Sequence, residues 1–149
     1  MPFTYNDREG FCNLINSYNG RIAAVVMEPI RNQYPENGFL EFVKSEVNKQ
    51  GGVLIFDEVS SGFRLCCGGA HKVLGVEPDI ITIGKAVSNG YPMAAVLGKS
   101  EIMQAVQETF ISSTYWTDRI GLVASIATIK KYKENKVEEH INRIGKLVS

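Results

Sequence analysis

Apolar residues recur at helical spacing at Phe11, Leu14, Ile15 and Tyr18, after Asn6 and Glu9, and the pattern stops at Asn19-Gly20. Asn6 with Glu9 has the spacing of a capping box, so an amphipathic helix is expected here. Ile22 to Met27 follows, apolar at every position and ended by Glu28-Pro29. A run apolar on both faces reads as a buried parallel strand. Phe39, Phe42, Val43 and Val47 mark a second helix closed by Gly51-Gly52, and Val53 to Phe56 is another two-sided strand. Ile80 to Ile83 makes a third strand after a Gly-rich connection, and Met93 to Leu97 a fourth between Pro92 and Gly98-Lys99. This alternation predicts an α/β domain, a mostly parallel sheet with helices on both faces. Ser100 is placed to cap a short helix carrying Ile102, Met103 and Val106. From about Asp118, with Thr117 suited as a cap, the chain reads as a long helix almost to its end. Val123, Ala124, Ala127, Val137, Ile141, Ile144 and Val148 are spaced for one buried stripe, which Asn135 is placed to break.

The chain has 149 residues, 44% hydrophobic and 21% charged, with no repeat, low-complexity tract or linker, so one folding unit is expected. Lys+Arg 16 balances Asp+Glu 16, which leaves no net field to attract nucleic acid or an anionic membrane. No apolar stretch approaches the roughly 20 residues of a membrane span, and the N-terminus lacks the build of a secretory signal, so a cytoplasmic protein is expected. Cys12, Cys66 and Cys67 read as reduced core or loop thiols. His71 and His140 have no ligand-spaced partners, so no metal is expected, and Lys130-Lys131-Tyr132-Lys133 reads as the wet face of a helix.

Two segments carry candidate chemistry: Leu54-Ile55-Phe56-Asp57-Glu58-Val59 and Asp79-Ile80-Ile81-Thr82-Ile83-Gly84-Lys85. Each is an apolar run that delivers a charged residue at its end, where open α/β sheets bind ligands. A cofactor that uses an aldehyde as an electron sink needs a lysine amine and a carboxylate for its ring nitrogen, and Lys85 and Asp57 are of those types. An apolar run ending in Asp-Glu is also the pattern that holds magnesium in ATPases. That reading requires a GxxxxGK loop followed by Ser or Thr. Here Lys85 is followed by Ala86, and Asp79 stands where the first Gly belongs.

Four segments in one order carry a resemblance: Ala23-Ala24-Val25-Val26-Met27-Glu28-Pro29, then Leu54 to Arg64, then Pro78 to Lys85, then Gly90-Tyr91-Pro92-Met93-Ala94-Ala95. From about Pro2 to Ser149 the chain resembles the central part of the large domain of class III, fold type I pyridoxal-phosphate aminotransferases, most closely the glutamate-1-semialdehyde 2,1-aminomutase branch. The resemblance implies that Lys85 forms the Schiff base and shuttles the proton at the substrate α-carbon. It implies that Asp57 pairs with the pyridine nitrogen and that Val59 packs on one ring face. Phe110 to Thr117 resembles a segment that reaches a neighbouring subunit's cofactor phosphate, with Thr114 as the phosphate-binding residue and Ser113 as an accessory. Glu28 is placed either to support Asp57 or to face water. Gln33 stands where the ornithine and γ-aminobutyrate transaminases are expected to have a Glu, which argues against those specificities.

The same resemblance implies a pyridoxal 5'-phosphate cofactor, a small amino-acid or amino-aldehyde substrate, and a homodimer or a complementing chain. Family members are expected to be about three times this length. An upstream phosphate-holding turn, a ring-stacking aromatic residue and a C-terminal small domain therefore have no counterpart here. The expectation is a partial large domain over residues 1–149, inactive alone, with exposed apolar sheet edges and one exposed helical face. The alternative is a non-catalytic remnant or interaction module that retains the sheet.

Overall fold

A computed structural model describes residues 1–148. Ser149, the last residue of the span carrying the resemblance, lies outside the described residues.

Helix α1 spans Arg8–Ser17 and is capped by Asp7, not by Asn6. The Asp7 carboxylate accepts from Gly10 N at 2.9 Å, satisfying a first-turn N–H that has no intrahelical acceptor. Asn6 is at φ 65, a left-handed backbone that Asn tolerates, and its side chain accepts from Glu36 N at 2.9 Å. Strand β1 is Ala24–Met27, helix α2 is Phe39–Lys49 and strand β2 is Val53–Asp57. The α2 helix stops because Gly51, at φ 72, turns the chain left-handed before β2 begins. A single turn of helix, α3, covers His71–Leu74, followed by β3 at Ile80–Ile83 and β4 at Ala95–Gly98.

The strands lie in the order β1-β2-β3-β4, with β1 parallel to β2, β2 parallel to β3, and β4 antiparallel to β3. The fourth strand starts two residues later than its apolar run, at Ala95. It is antiparallel because a 3₁₀ turn at Lys85–Val87 and the following bends return the chain with no crossover helix, which a parallel pair would need.

In-register pairing puts Val25, Met27, Leu54, Phe56 and Ile83 on one face, all buried. Helices α1 and α2 cover β1 and β2 there with Phe11, Ile15, Phe39, Leu40, Val43 and Val47. Each such side chain contributes about 1.5–3 kcal/mol on burial. The opposite face carries Ala24, Val26, Ile55, Asp57, Thr82 and Val96, none of them buried; Val26 is 60% and Val96 56% exposed. The two-sided apolar strands are thus covered on one side only among the described residues.

Asp79 ties three strands together: its buried carboxylate accepts from Leu54 N at 2.8 Å and from Lys99 Nζ at 2.6 Å. Burial pushes this carboxyl up, but the Lys99 ammonium and the Leu54 N–H outweigh it and hold the group below its ordinary value.

Helix α4 is Ser100–Met103 and starts with no side-chain cap, so Ser100 lies in the first turn rather than before it. Val106 belongs to the 3₁₀ turn Gln104–Glu108 that follows. The long C-terminal helix is two helices, α5 at Arg119–Glu134 and α6 at Val137–Val148, separated at Asn135 and by Lys136 at φ 48. Asp118 caps α5 by accepting from Ile120 N at 2.8 Å, in place of Thr117.

The expected buried stripe is not formed. The α5 helix buries Gly121, Ser125 and Tyr132, α6 buries nothing, and Val123 and Val148 are 64% and 82% exposed. A stripe is buried only where something faces it, and α5 instead meets the sheet region through Gly121 against Pro92 and through Tyr132 against Phe63. No helix among the described residues is long and apolar enough to cross a membrane.

Candidate active site

Asp57 closes β2, and Thr82 sits beside it in register on β3, three residues before Lys85. The C-terminal ends of two adjacent parallel strands thereby deliver both charged residues to one edge. Asp57 Oδ1 accepts from Val59 N at 3.0 Å and from Thr82 Oγ1 at 3.2 Å. No group among the described residues donates to Oδ2, so the carboxylate is oriented through one oxygen and open at the other. Val59 is half-buried, and a Cβ placed on Gly84 would lie 3.5 Å from its Cγ1, so Val59 and the residue before Lys85 are neighbours.

Lys85 is exposed, at φ 44, a left-handed backbone that is uncommon for a residue with a Cβ and marks local strain. Its Nζ donates to Ser60 Oγ at 2.6 Å and forms no ion pair among the described residues. Asp57, Val59 and Lys85 are brought together. Ser113 and Thr114 are not: they lie in an exposed loop before α5, where Ser113 Oγ accepts from Tyr115 N at 3.2 Å. Ser113 lines a groove of about 670 Å³ with Met93 and Val96 on the β4 side and Trp116 on the loop side.

Glu28 follows β1 on the same sheet edge as Asp57. Its Oε1 pairs with Arg31 at 2.9 Å, whereas its Oε2 is buried without a hydrogen-bond partner among the described residues. Gln33 and Glu28 line one cleft of about 380 Å³ with Tyr5 and Met27.

Sequence reasoning missed Thr82, Ser60, Glu58 and His71. Thr82 was detectable as the one polar position inside Ile80–Ile83, one strand over from Asp57. Glu58 was detectable by alternation, since positions 54, 56 and 58 share a face and that face is the covered one. Ser60 and His71 carry no local signal, because their partners are 25 and 13 residues away in sequence.

The model of the family described as aminotransferase class-III matches residues 5–149. The 3-aminobutyryl-CoA aminotransferase of Cloacimonas acidaminovorans (strain Evry) is 37% identical over 151 residues, covering 97% of this chain and 36% of that protein. The glutamate-1-semialdehyde 2,1-aminomutase of Acetivibrio thermocellus is also 37% identical, over 153 residues and the same two shares, 97% and 36%. Among solved structures, the FumI protein of Sphingopyxis sp. MTA144, in its PLP internal aldimine form, superposes with a TM-score of 0.85 at 28% identity. That match covers 90% of this chain and 34% of FumI. The chain spans about a third of the length of the curated relatives it matches. Since the strand ends, their order and the family match over residues 5–149 agree, the chain belongs to the class-III aminotransferase family.

Proposed function

We propose that this chain carries the cofactor-anchoring part of a pyridoxal-phosphate-dependent amino-group transfer site, centred on Lys85. The observation that carries the reading is the placement of Asp57 and Lys85 at the ends of adjacent parallel strands. The residues suit the group. The open Oδ2 of Asp57 matches a protonated ring nitrogen, and Thr82 Oγ1 and Val59 N hold the carboxylate in place for it. Lys85 presents an exposed amine whose one hydrogen bond among the described residues is to a hydroxyl, which leaves it available to an aldehyde. When bound, pyridoxal phosphate supplies the electron sink for charge developing at the substrate α-carbon.

Within this reading each residue has a task. Asp57 keeps the ring nitrogen protonated through a charge-assisted hydrogen bond. Lys85 Nζ would hold the cofactor through its aldehyde and would move the proton at the substrate α-carbon. Val59 bears on one ring face. Ser113 and Thr114, in an exposed loop of their own, serve the cofactor phosphate of a second copy. The substrate is a small amino acid or amino aldehyde, and the reaction is transamination or an aminomutase exchange of the glutamate-1-semialdehyde type. Two relatives of different activity share the same identity with this chain, so both remain within the proposal. Residues 1–149 act as part of a cofactor-binding large domain in a cytoplasmic protein, working as a dimer or with a complementing chain.

One observation favours a second reading, a non-catalytic module that retains the sheet: the face carrying Asp57 also exposes Val26 and Val96. A single experiment decides between them. The purified chain is mixed with pyridoxal phosphate, reduced with borohydride and mapped by mass spectrometry. One label per chain on Lys85, lost in Lys85→Ala, is expected. Label scattered over surface lysines refutes the first reading for this chain and leaves the second.

A further inference from the structure

Directly behind Asp57, Glu58 is 0% exposed, a carboxylate placed wholly inside the protein. Its N–H continues the ladder to Thr82 O at 2.9 Å, so alternation sends its side chain to the covered face while Asp57 and Val59 point to the open one. Oε1 lies 2.5 Å from His71 Nδ1 and accepts from His71 N at 3.3 Å. Oε2 accepts from Ser61 Oγ at 3.2 Å and from Ala70 N. A buried carboxylate persists only when its lone pairs are filled in this way.

These bonds grip both ends of one loop, Ser61 where it starts and Ala70 and His71 where it closes. Within it, Phe63 is at φ 59, a costly conformation for a bulky residue, held by its N–H to Gly68 O at 2.7 Å. Such strain is kept only where the surroundings over-determine it. The residues that open this loop are those that touch the site: Val59 N on Asp57 Oδ1 and Ser60 Oγ on Lys85 Nζ.

We propose that Glu58 and His71 form a buried positioning pair that, by pinning this loop from behind the sheet, sets Val59 against Asp57 and Ser60 against Lys85. Neither residue touches the reacting groups; both act through the backbone between them. The proposal rests on Asp57 and Lys85 being the site, and its test separates the two claims.

Backbone amide exchange is measured on the full chain without cofactor, comparing the unaltered protein with His71→Leu and with His71→Gln, which retains a side-chain donor. In His71→Leu the Val59 amide exchanges roughly tenfold faster, the loss of one hydrogen bond to a charged group. The Leu54 and Phe56 amides change less than about twofold, since local opening leaves the core ladder intact. His71→Gln returns Val59 towards the unaltered rate. Acceleration shared equally by Leu54, Phe56 and Val59, or no acceleration at Val59, overturns the positioning role. A visible-absorbance titration with pyridoxal phosphate is run on the same three proteins. The expected result is weaker binding in His71→Leu by about tenfold and recovery in His71→Gln. Unaltered binding in His71→Leu overturns the inference while leaving the cofactor reading intact, and no uptake by the unaltered chain overturns the cofactor reading itself.

Discussion

Replacing Asp79 tests how the sheet that presents the site is held. The carboxylate fills two roles, acceptor for the buried Leu54 N–H and partner for the Lys99 ammonium, and two substitutions separate them. Asp79→Ala removes both. It leaves the Leu54 N–H without an acceptor, at about 1–3 kcal/mol. It also removes an ion pair whose lysine side chain is 39% exposed, discounted for solvent to about 0.5–1 kcal/mol. Asp79→Ala is therefore expected to cost about 1.5–4 kcal/mol. Asp79→Asn keeps an amide oxygen for Leu54 N and loses only the charge, at about 1 kcal/mol.

The two variants also differ in their response to acid. The Asp79 carboxyl is held below its ordinary 3.8, so the stability it contributes is present above that value and is lost as pH falls through the lower folded one. The assay is urea unfolding at pH 7 and at steps down to pH 2. The gap between the unaltered chain and Asp79→Asn should close below about pH 4, and the gap between Asp79→Asn and Asp79→Ala should persist. Equal costs for Asn and Ala at pH 7, or a gap to Asp79→Asn that ignores pH, would refute the two-role account.

Three further outcomes follow from single contacts. Asp57→Asn should weaken pyridoxal-phosphate binding about ten- to a hundredfold by absorbance titration, because a neutral amide replaces the charged partner of the ring nitrogen. Tyr132→Phe should leave the thermal midpoint unchanged or slightly raised, since the Tyr132 hydroxyl is buried without a partner among the described residues; a drop of several degrees would show that the hydroxyl is satisfied. Tyr5→Phe removes the 2.6 Å bond to Pro29 O and should cost about 1 kcal/mol at pH 8 by urea unfolding. Burial pushes the Tyr5 hydroxyl from 10.0 up to about 12, so its stabilising share is full below 10.0 and is lost as pH rises through about 12. The Phe variant should lack that part of the alkaline loss.

The elements readable from sequence were those whose signal is local. The apolar periodicity of α1 and α2 and the unbroken runs of β2 and β3 each state a preference that tertiary packing then fulfils. Asp57 and Lys85 were legible for the same reason, as charged residues ending apolar runs. The failures lie where a distant partner decides. Asn6 has the composition of a cap, but Glu36 N claims its side chain and Asp7 takes the position. Val123 and Val148 have the spacing of a buried stripe, but no described residue covers them, and Lys136 turns α6 away from the line of α5. Met93 to Leu97 was legible as a strand but not in its direction, because apolar content does not encode direction; the length and turns of the connection do. Glu58 could be placed on the covered face by alternation, but the partner that fills its lone pairs could not, since His71 arrives from the far side of a loop.

The order β1-β2-β3-β4 in the sheet is also the order of synthesis. Each strand after β1, as it leaves the ribosome, finds a neighbour already made and needs no later segment to open a slot for it. At roughly 5–20 residues per second the sheet can grow one strand at a time, within seconds, and no early strand has to wait unpaired for a distant partner. Asp79 is made before its Lys99 partner, which directly follows the return strand, so the closing of that ion pair coincides with the last strand joining the sheet.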